Sequence, residues 1–262
     1  ECLGCELDDI VVFGADTDIS PYDSGSYASS TAYLTGTAVV KTCEALKEKI
    51  LHKAAKYLET GAEELEFDGK RVYKLACEAD GTRKEITIKD LANRVQCANE
   101  DALQVTQSHS SPISPPPFMA GAAEVEVDLE TGQVELIKFA AAVDCGTPLN
   151  ENLARVQTEG GLVQGIGMAL YEDVSYSKDG KVHENSFMQY KVPSRLDVGR
   201  VQVEFESSFE PTGPFGAKSI GEVVINTPSP AIANAVYNAV GVRIRELPIT
   251  AEKVFKGMNG LD

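Results

Sequence analysis

Apolar positions at intervals of three and four dominate the first quarter of the chain. Cys43, Leu46, Ile50, Leu51, Ala54, Ala55 and Leu58 predict a long amphipathic helix from about Ser29 to Leu58, entered through Ser29, Ser30 and Thr31 and stopped by Gly61. Ahead of it, Glu1–Leu7 reads as a helix. Ile10–Phe13 reads as a strand entering a long Asp-, Ser- and Gly-rich loop over Gly14–Gly25. Short strands are predicted at Leu65–Phe67, Arg71–Leu75 and Glu85–Ile88 about a Phe-Asp-Gly-Lys turn, then a helix over Lys89–Cys97. Ser108–Pro117, with four prolines and four serines, marks a soft boundary between a first subdomain, residues 1–107, and a second, residues 108–262.

Beyond that boundary, alternation over Ala123–Leu129 and Gln133–Phe139 around Glu130-Thr131-Gly132 predicts a hairpin. Asn150 is placed to cap a helix running to about Glu172. That helix carries Gly160, Gly161, Gly165 and Gly167, each costing about 1 kcal/mol relative to alanine. Either another backbone or a ligand must press against that face. Strands are expected at Ser186–Val192 and Val201–Phe205. A last helix is expected with Ser229 as cap, Pro230 as first residue and Gly241 beyond its end. Strands and helices without a regular alternation predict an α+β fold with mixed sheets packed by helices.

Charge narrows the function. In 262 residues, 40 acids against 24 lysines and arginines leave a net charge of −16, which argues against nucleic acid as a partner. The longest apolar run, Phe139–Val143, is far below the ~20 residues needed to cross a bilayer. With no signal peptide at the start, the reading is a cytoplasmic protein without a membrane partner, and Glu1 inside a predicted helix reads as a cut. The six cysteines are expected to be reduced and mostly buried, and the lone Cys2-x-x-Cys5 pair has no second pair at zinc-site spacing. His52, His109 and His183 are far apart, so any metal would have to be held by something other than protein ligands.

Three loops that feed helices are candidates for chemistry. Tyr27-Ala-Ser-Ser-Thr31 offers hydroxyls and helix-start amides to an anion or pterin oxygen, with capping by Ser29 or Thr31 as the plainer alternative. Gln157 to Gly167 sets Gln164 among glycines that admit a flat ligand. Gly221 delivers Glu222 ahead of Val223, Val224 and Ile225; a carboxylate in apolar surroundings holds its proton more tightly and can act as a general base. Lys218 in the same loop lacks the preceding glycine of a Walker A motif.

Gly213-x-x-Gly-Ala-Lys-Ser-Ile-Gly-Glu222, Pro228-x-Pro-Ala-Ile-Ala-Asn-Ala-Val236 and Leu247-Pro-Ile-Thr-x-Glu-Lys-Val254 together resemble the C-terminal signature of the molybdenum hydroxylases, the xanthine dehydrogenase and aldehyde oxidase family. Ala123–Gly132, Val143-Asp-x-Gly146, Gln157–Gly167 and the Asp16 to Thr31 loop follow in the family's order, so the resemblance covers essentially the whole chain.

The resemblance implies the second molybdopterin-binding domain of such an enzyme. The molybdenum would be carried by a pterin cofactor, in mononucleotide or cytosine dinucleotide form. Ala28, Ser29, Ser30, Thr31, Gln164, Gly165 and Gly221 match cofactor contacts, and Glu222 matches the general base in hydroxylation of an electron-poor carbon of a heterocycle, purine or aldehyde with water-derived oxygen. The implied partners are the N-terminal half of the molybdopterin subunit, domains or subunits carrying 2Fe–2S clusters and FAD, and a small-molecule substrate. Alone, the chain is expected to be inactive. Two departures stand out: Ser30 where many relatives carry Arg, and Ala122 where a histidine is common. The alternatives are a reductive dehydroxylase of the same family acting on an aryl thioester, and a non-catalytic assembly module.

Overall fold

The computed structural model describes residues 1–261 and divides the chain into two units. One comprises Glu1–Gly25 with Leu34–Pro112, the other Ser26–Tyr33 with Ile113–Asp262. Helix α1, Thr31–Leu58, therefore starts in the second unit and runs through the first.

In the first unit, β1 (Leu65–Phe67), β2 (Arg71–Lys74) and β3 (Glu85–Thr87) form an antiparallel meander in that order, followed by α2 (Ile88–Cys97). Ile50, Ala54 and Leu58 of α1, Leu91 and Val95 of α2, and the inward residues Leu65, Phe67, Val72 and Ile86 close one core. Thr87 caps α2 by accepting from the Asp90 amide. The predicted N-terminal helix is only a 3-10 turn at Leu7–Asp9. The predicted strand at Ile10–Phe13 is absent: no neighbouring strand pairs with it, and Val11 and Val12 are exposed. Gly61 does not end α1; Glu59, at φ +52°, takes the left-handed turn instead.

In the second unit, β4 (Phe118–Val127) and β5 (Val134–Asp144) form the predicted hairpin, longer at its open end and slightly shorter at the turn, and β6 (Arg200–Phe205) joins β5 in parallel. The sheet is therefore mixed. Asp128 closes the turn by accepting from the amides of Glu130 and Thr131. A bulge between Glu124 and Val125 opposite β5 flips the inward set from Val134 and Leu136 to Phe139, Ala141 and Val143.

Helix α3 (Glu151–Leu170) starts at Asn150, whose side chain accepts from the Leu153 amide as predicted. Helix α4 (Pro228–Val240) and α5 (Ala251–Asn259) complete the unit, and Leu162, Ile166, Ile232, Val236 and Val254 pack on the sheet. Helix α4 begins two residues earlier than expected, with Thr227 as cap residue and Pro228 in the first turn, where its missing N–H costs nothing. The strand expected at Ser186–Val192 is a turn in which the Ser186 carbonyl accepts from Gln189 and Tyr190. All six cysteines are free thiols, but only Cys145 is buried; Cys77 and Cys97 are exposed.

Candidate functional site

The loop that carries Glu222 is anchored before it reaches the site. Gly146, at φ +71°, forms an antiparallel bridge with Ala217, flanked by bonds from Lys218 N to Cys145 O at 2.8 Å and from Thr147 N to Gly216 O at 2.8 Å. A Cβ at Gly146 would stand 2.3 Å from Gly216 O, so the position is reserved for glycine. The buried Lys218 ammonium donates to Asp144 Oδ2 at 2.7 Å and lies over the Phe118 ring. The chain then runs through Gly221 and Glu222 into a 3-10 turn at Val223–Ile225, whose Val224 is buried against Gly161 of α3.

The Glu222 side chain is exposed to solvent, so the apolar surroundings expected for it are not found in this chain. Its Oε2 accepts a 2.9 Å hydrogen bond from Ser29 Oγ. Ser29 ends the 3-10 turn Tyr27–Ser29 before α1, where Ala28 and Ser29 are both left-handed, at φ 50° and 60°. On the other side, Gln157 Nε2 donates to Gly221 O at 3.0 Å. The Thr31 hydroxyl is bonded to that of Ser26. The hydroxyls offered as caps for α1 are thus engaged elsewhere.

Glu222 and Gly221 line two cavities. The first, of about 610 Å³, has the hydroxyls of Ser26, Ser29 and Thr31 on one side and Leu149, Leu153 and Ile220 among its apolar residues. The second, of about 440 Å³, is lined by Gln157, Gly160, Gly161, Gln164, Val224 and Ile225. Ser29, Thr31, Gln164, Gly221 and Glu222 are therefore brought to adjoining spaces, with Gln157 bordering both. Ala28 and Ser30 line neither of these two cavities. Gly165 lies under Pro228, where a Cβ would meet Pro228 Cγ at 2.6 Å. Gly161 is likewise filled by Val224, so for these two glycines helix packing is what the structure shows.

Among the described residues, no group of three or more His, Cys, Asp or Glu side chains is placed to hold a metal ion. The donors that do converge are hydroxyls and amides beside aliphatic surface. That combination fits an organic, pterin-type group held by hydrogen bonds and apolar contact. The Lys218–Asp144 pair and the leucines of the first cavity were not among the predicted site residues; the Val143-Asp-x-Gly146 motif was the available sign of the pair.

Residues 1–199 match the molybdopterin cofactor-binding domain family, and the chain belongs to that family. It is 34% identical over 260 residues to the probable hypoxanthine oxidase XdhD of Escherichia coli (strain K12), covering 98% of this chain and 27% of the relative. It is 31% identical to the putative xanthine dehydrogenase molybdenum-binding subunit XdhA of the same organism, covering 98% and 34%. Among solved structures, the Cu,Mo-CO dehydrogenase in its carbon monoxide reduced state superposes with a TM-score of 0.85 at 27% identity, covering 99% of this chain and 33% of that one. The aldehyde oxidoreductase from Desulfovibrio gigas superposes at 0.70 with 25% identity, covering 93% and 24%. The chain spans about a quarter to a third of the length of these proteins. No helix among the described residues is long and apolar enough to cross a membrane.

Proposed function

We propose that this chain forms one wall of a molybdenum–pterin site in a larger oxidoreductase. That enzyme would hydroxylate an electron-poor carbon of a purine, another heterocycle or an aldehyde with water-derived oxygen. The observation that carries the reading is Glu222, held by its neighbours at the border of two cavities lined by hydroxyl, amide and aliphatic groups. The names of the hypoxanthine, xanthine and aldehyde relatives support the substrate class.

When bound, the cofactor would supply two-electron redox chemistry. Ser26, Thr31, Gln157 and Gln164 would hold its polar edges, and Leu149, Leu153 and Ile220 would cover apolar surface and exclude water. Glu222 is the general base. With Oε2 engaged by Ser29, Oε1 receives the proton released as oxygen is delivered to substrate. In the assembled enzyme, iron–sulfur and flavin partners would carry away the two electrons taken from the substrate C–H bond, and the rest of the enzyme would supply the other walls.

The test is Glu222→Gln in the full-length enzyme assembled with its partners. Molybdenum content is expected to hold while turnover of hypoxanthine or an aromatic aldehyde falls by about 10²- to 10⁴-fold, the usual worth of a positioned base. Unchanged turnover removes Glu222 as base and favours an assembly role; Glu222-dependent reduction of an aryl thioester redirects the chemistry.

A further inference from the structure

We propose that Ser29 is a positioning residue for Glu222, built into the helix entry to aim the carboxylate. The inference rests on the reading of Glu222 as base. Three independent features of the chain converge on this contact. Ser29 Oγ donates to Glu222 Oε2 at 2.9 Å across 193 residues of sequence, so the bond joins two loops that tertiary structure alone brings together.

The backbone that presents Ser29 is strained. Ala28 and Ser29 are consecutive non-glycine residues in left-handed conformation, at φ 50° and 60°. Such conformations persist only where the surroundings over-determine them, and they cluster at functional sites. Here they present the hydroxyl to the carboxylate instead of leaving it to cap α1.

Gly221 makes the room. A Cβ there would stand 2.8 Å from Ser29 Oγ and 3.1 Å from Ser29 Cβ, so any side chain at 221 would push the serine off its acceptor. Gln157 holds the same peptide from α3 through its 3.0 Å bond to Gly221 O. The residue that bears the base is thus gripped on its carboxylate by Ser29 and on its preceding carbonyl by Gln157. An exposed glutamate without these contacts would sample several rotamers, and only some of them face the cavities.

Ser29→Gly separates this role from folding, because glycine adopts φ near +60° without strain and only the hydroxyl is lost. In the full-length enzyme we expect kcat to fall by up to about 10²-fold, the scale of a misplaced catalytic group. KM and molybdenum content should stay unchanged, and the Glu222 side chain should be spread over several rotamers in a crystal structure of the variant. Ser29→Asn, which tolerates the left-handed region and restores a donor, should recover much of the rate. Gly221→Ala should reproduce the loss when Ser29 is present and add little when residue 29 is glycine, a coupling that a double-mutant cycle reads.

Parallel loss of molybdenum and activity in Ser29→Gly would make Ser29 a cofactor contact and overturn the proposal. So would full activity with Glu222 unmoved. If Glu222→Gln itself leaves turnover intact, the base reading fails and this inference falls with it; if Glu222→Gln is inactive and Ser29→Gly is normal, only the inference falls.

Discussion

Lys218 and Asp144 form an ion pair of 2.7 Å that ties the end of β5 to the loop bearing Glu222. The lysine side chain is only 8% exposed. Burial pushes the Asp144 carboxyl up, but hydrogen bonds from Lys218, Ser208 and the Gly146 amide, with the Lys218 charge, overcome this and hold it below the usual carboxylate range. Removing one partner of a buried pair strands the other charge, which costs roughly 3–5 kcal/mol. Lys218→Met should lower the urea midpoint of the second unit accordingly, while Lys218→Met combined with Asp144→Leu should be less damaging. Because the carboxyl is depressed in the fold, its stabilisation is complete above its unfolded value of about 3.9 and is lost as pH falls through the lower folded value. Asp144→Asn should flatten stability across that acid window.

Glu100 organises the first unit in a similar way. Its carboxylate accepts from Lys53 at 2.8 Å, from Lys56, and from Tyr57 OH at 3.2 Å, drawing three α1 side chains onto the segment that follows α2. The hydrogen bonds from Lys53 and Lys56 carry its pKa down to about 2. Because the folded value is the lower one, the bonds stabilise the fold above the unfolded value of about 4.3 and are lost between there and pH 2. Glu100→Gln should lower the melting temperature at pH 7 and leave it nearly unchanged at pH 2, so that the two proteins converge in a thermal melt series across that interval.

Long periodic segments were legible because many residues vote for the same face. Helix α1 buries Ile50, Ala54 and Leu58 and α3 buries Leu162 and Ile166, whereas Leu153 and Val156, which share the periodicity of α3, are exposed in its first turns. Short runs failed where tertiary partners decide. Ile10–Phe13 is β-branched enough for a strand, but a strand needs a neighbour to bond, and none is supplied. At Ser186–Val192 the local Ser186 turn outcompetes extension, leaving Phe187 and Met188 exposed. The helix α1 terminus was misread because Gly61 looked like the natural left-handed residue, whereas Glu59 takes that conformation two positions earlier.

The site was legible as residue types in family order, and not as contacts. Nothing local in Tyr27–Thr31 says that Ser29 will reach Glu222, since the bond depends on positive φ at Ala28 and Ser29 and on the missing side chain at Gly221. Gln157 was visible as part of a glycine-rich motif, but its partner, the Gly221 carbonyl, is 64 residues away. The apolar setting expected for Glu222 was inferred from Val223, Val224 and Ile225. Of these only Val224 is buried, and it points into α3 rather than around the carboxylate.

The glycines of α3 provide a paired test of packing against intrinsic propensity. A Cβ at Gly161 would stand 2.1 Å from Val224 Cγ2, whereas one at Gly160 meets nothing within 4 Å. At Gly160 the helix has only the entropic cost of glycine to lose, so Gly160→Ala should stabilise the protein by about 0.5–1 kcal/mol. At Gly161 the same substitution must push the Val223–Ile225 turn away from α3, and overpacking of this kind costs about 1–3 kcal/mol. Since that turn directly follows Glu222, Gly161→Ala should also lower turnover of the full-length enzyme, whereas Gly160→Ala should change stability in the opposite direction. Urea midpoints of the two variants measured side by side decide it: equal shifts would mean that α3 and the turn after Glu222 do not pack as closely as the structure shows.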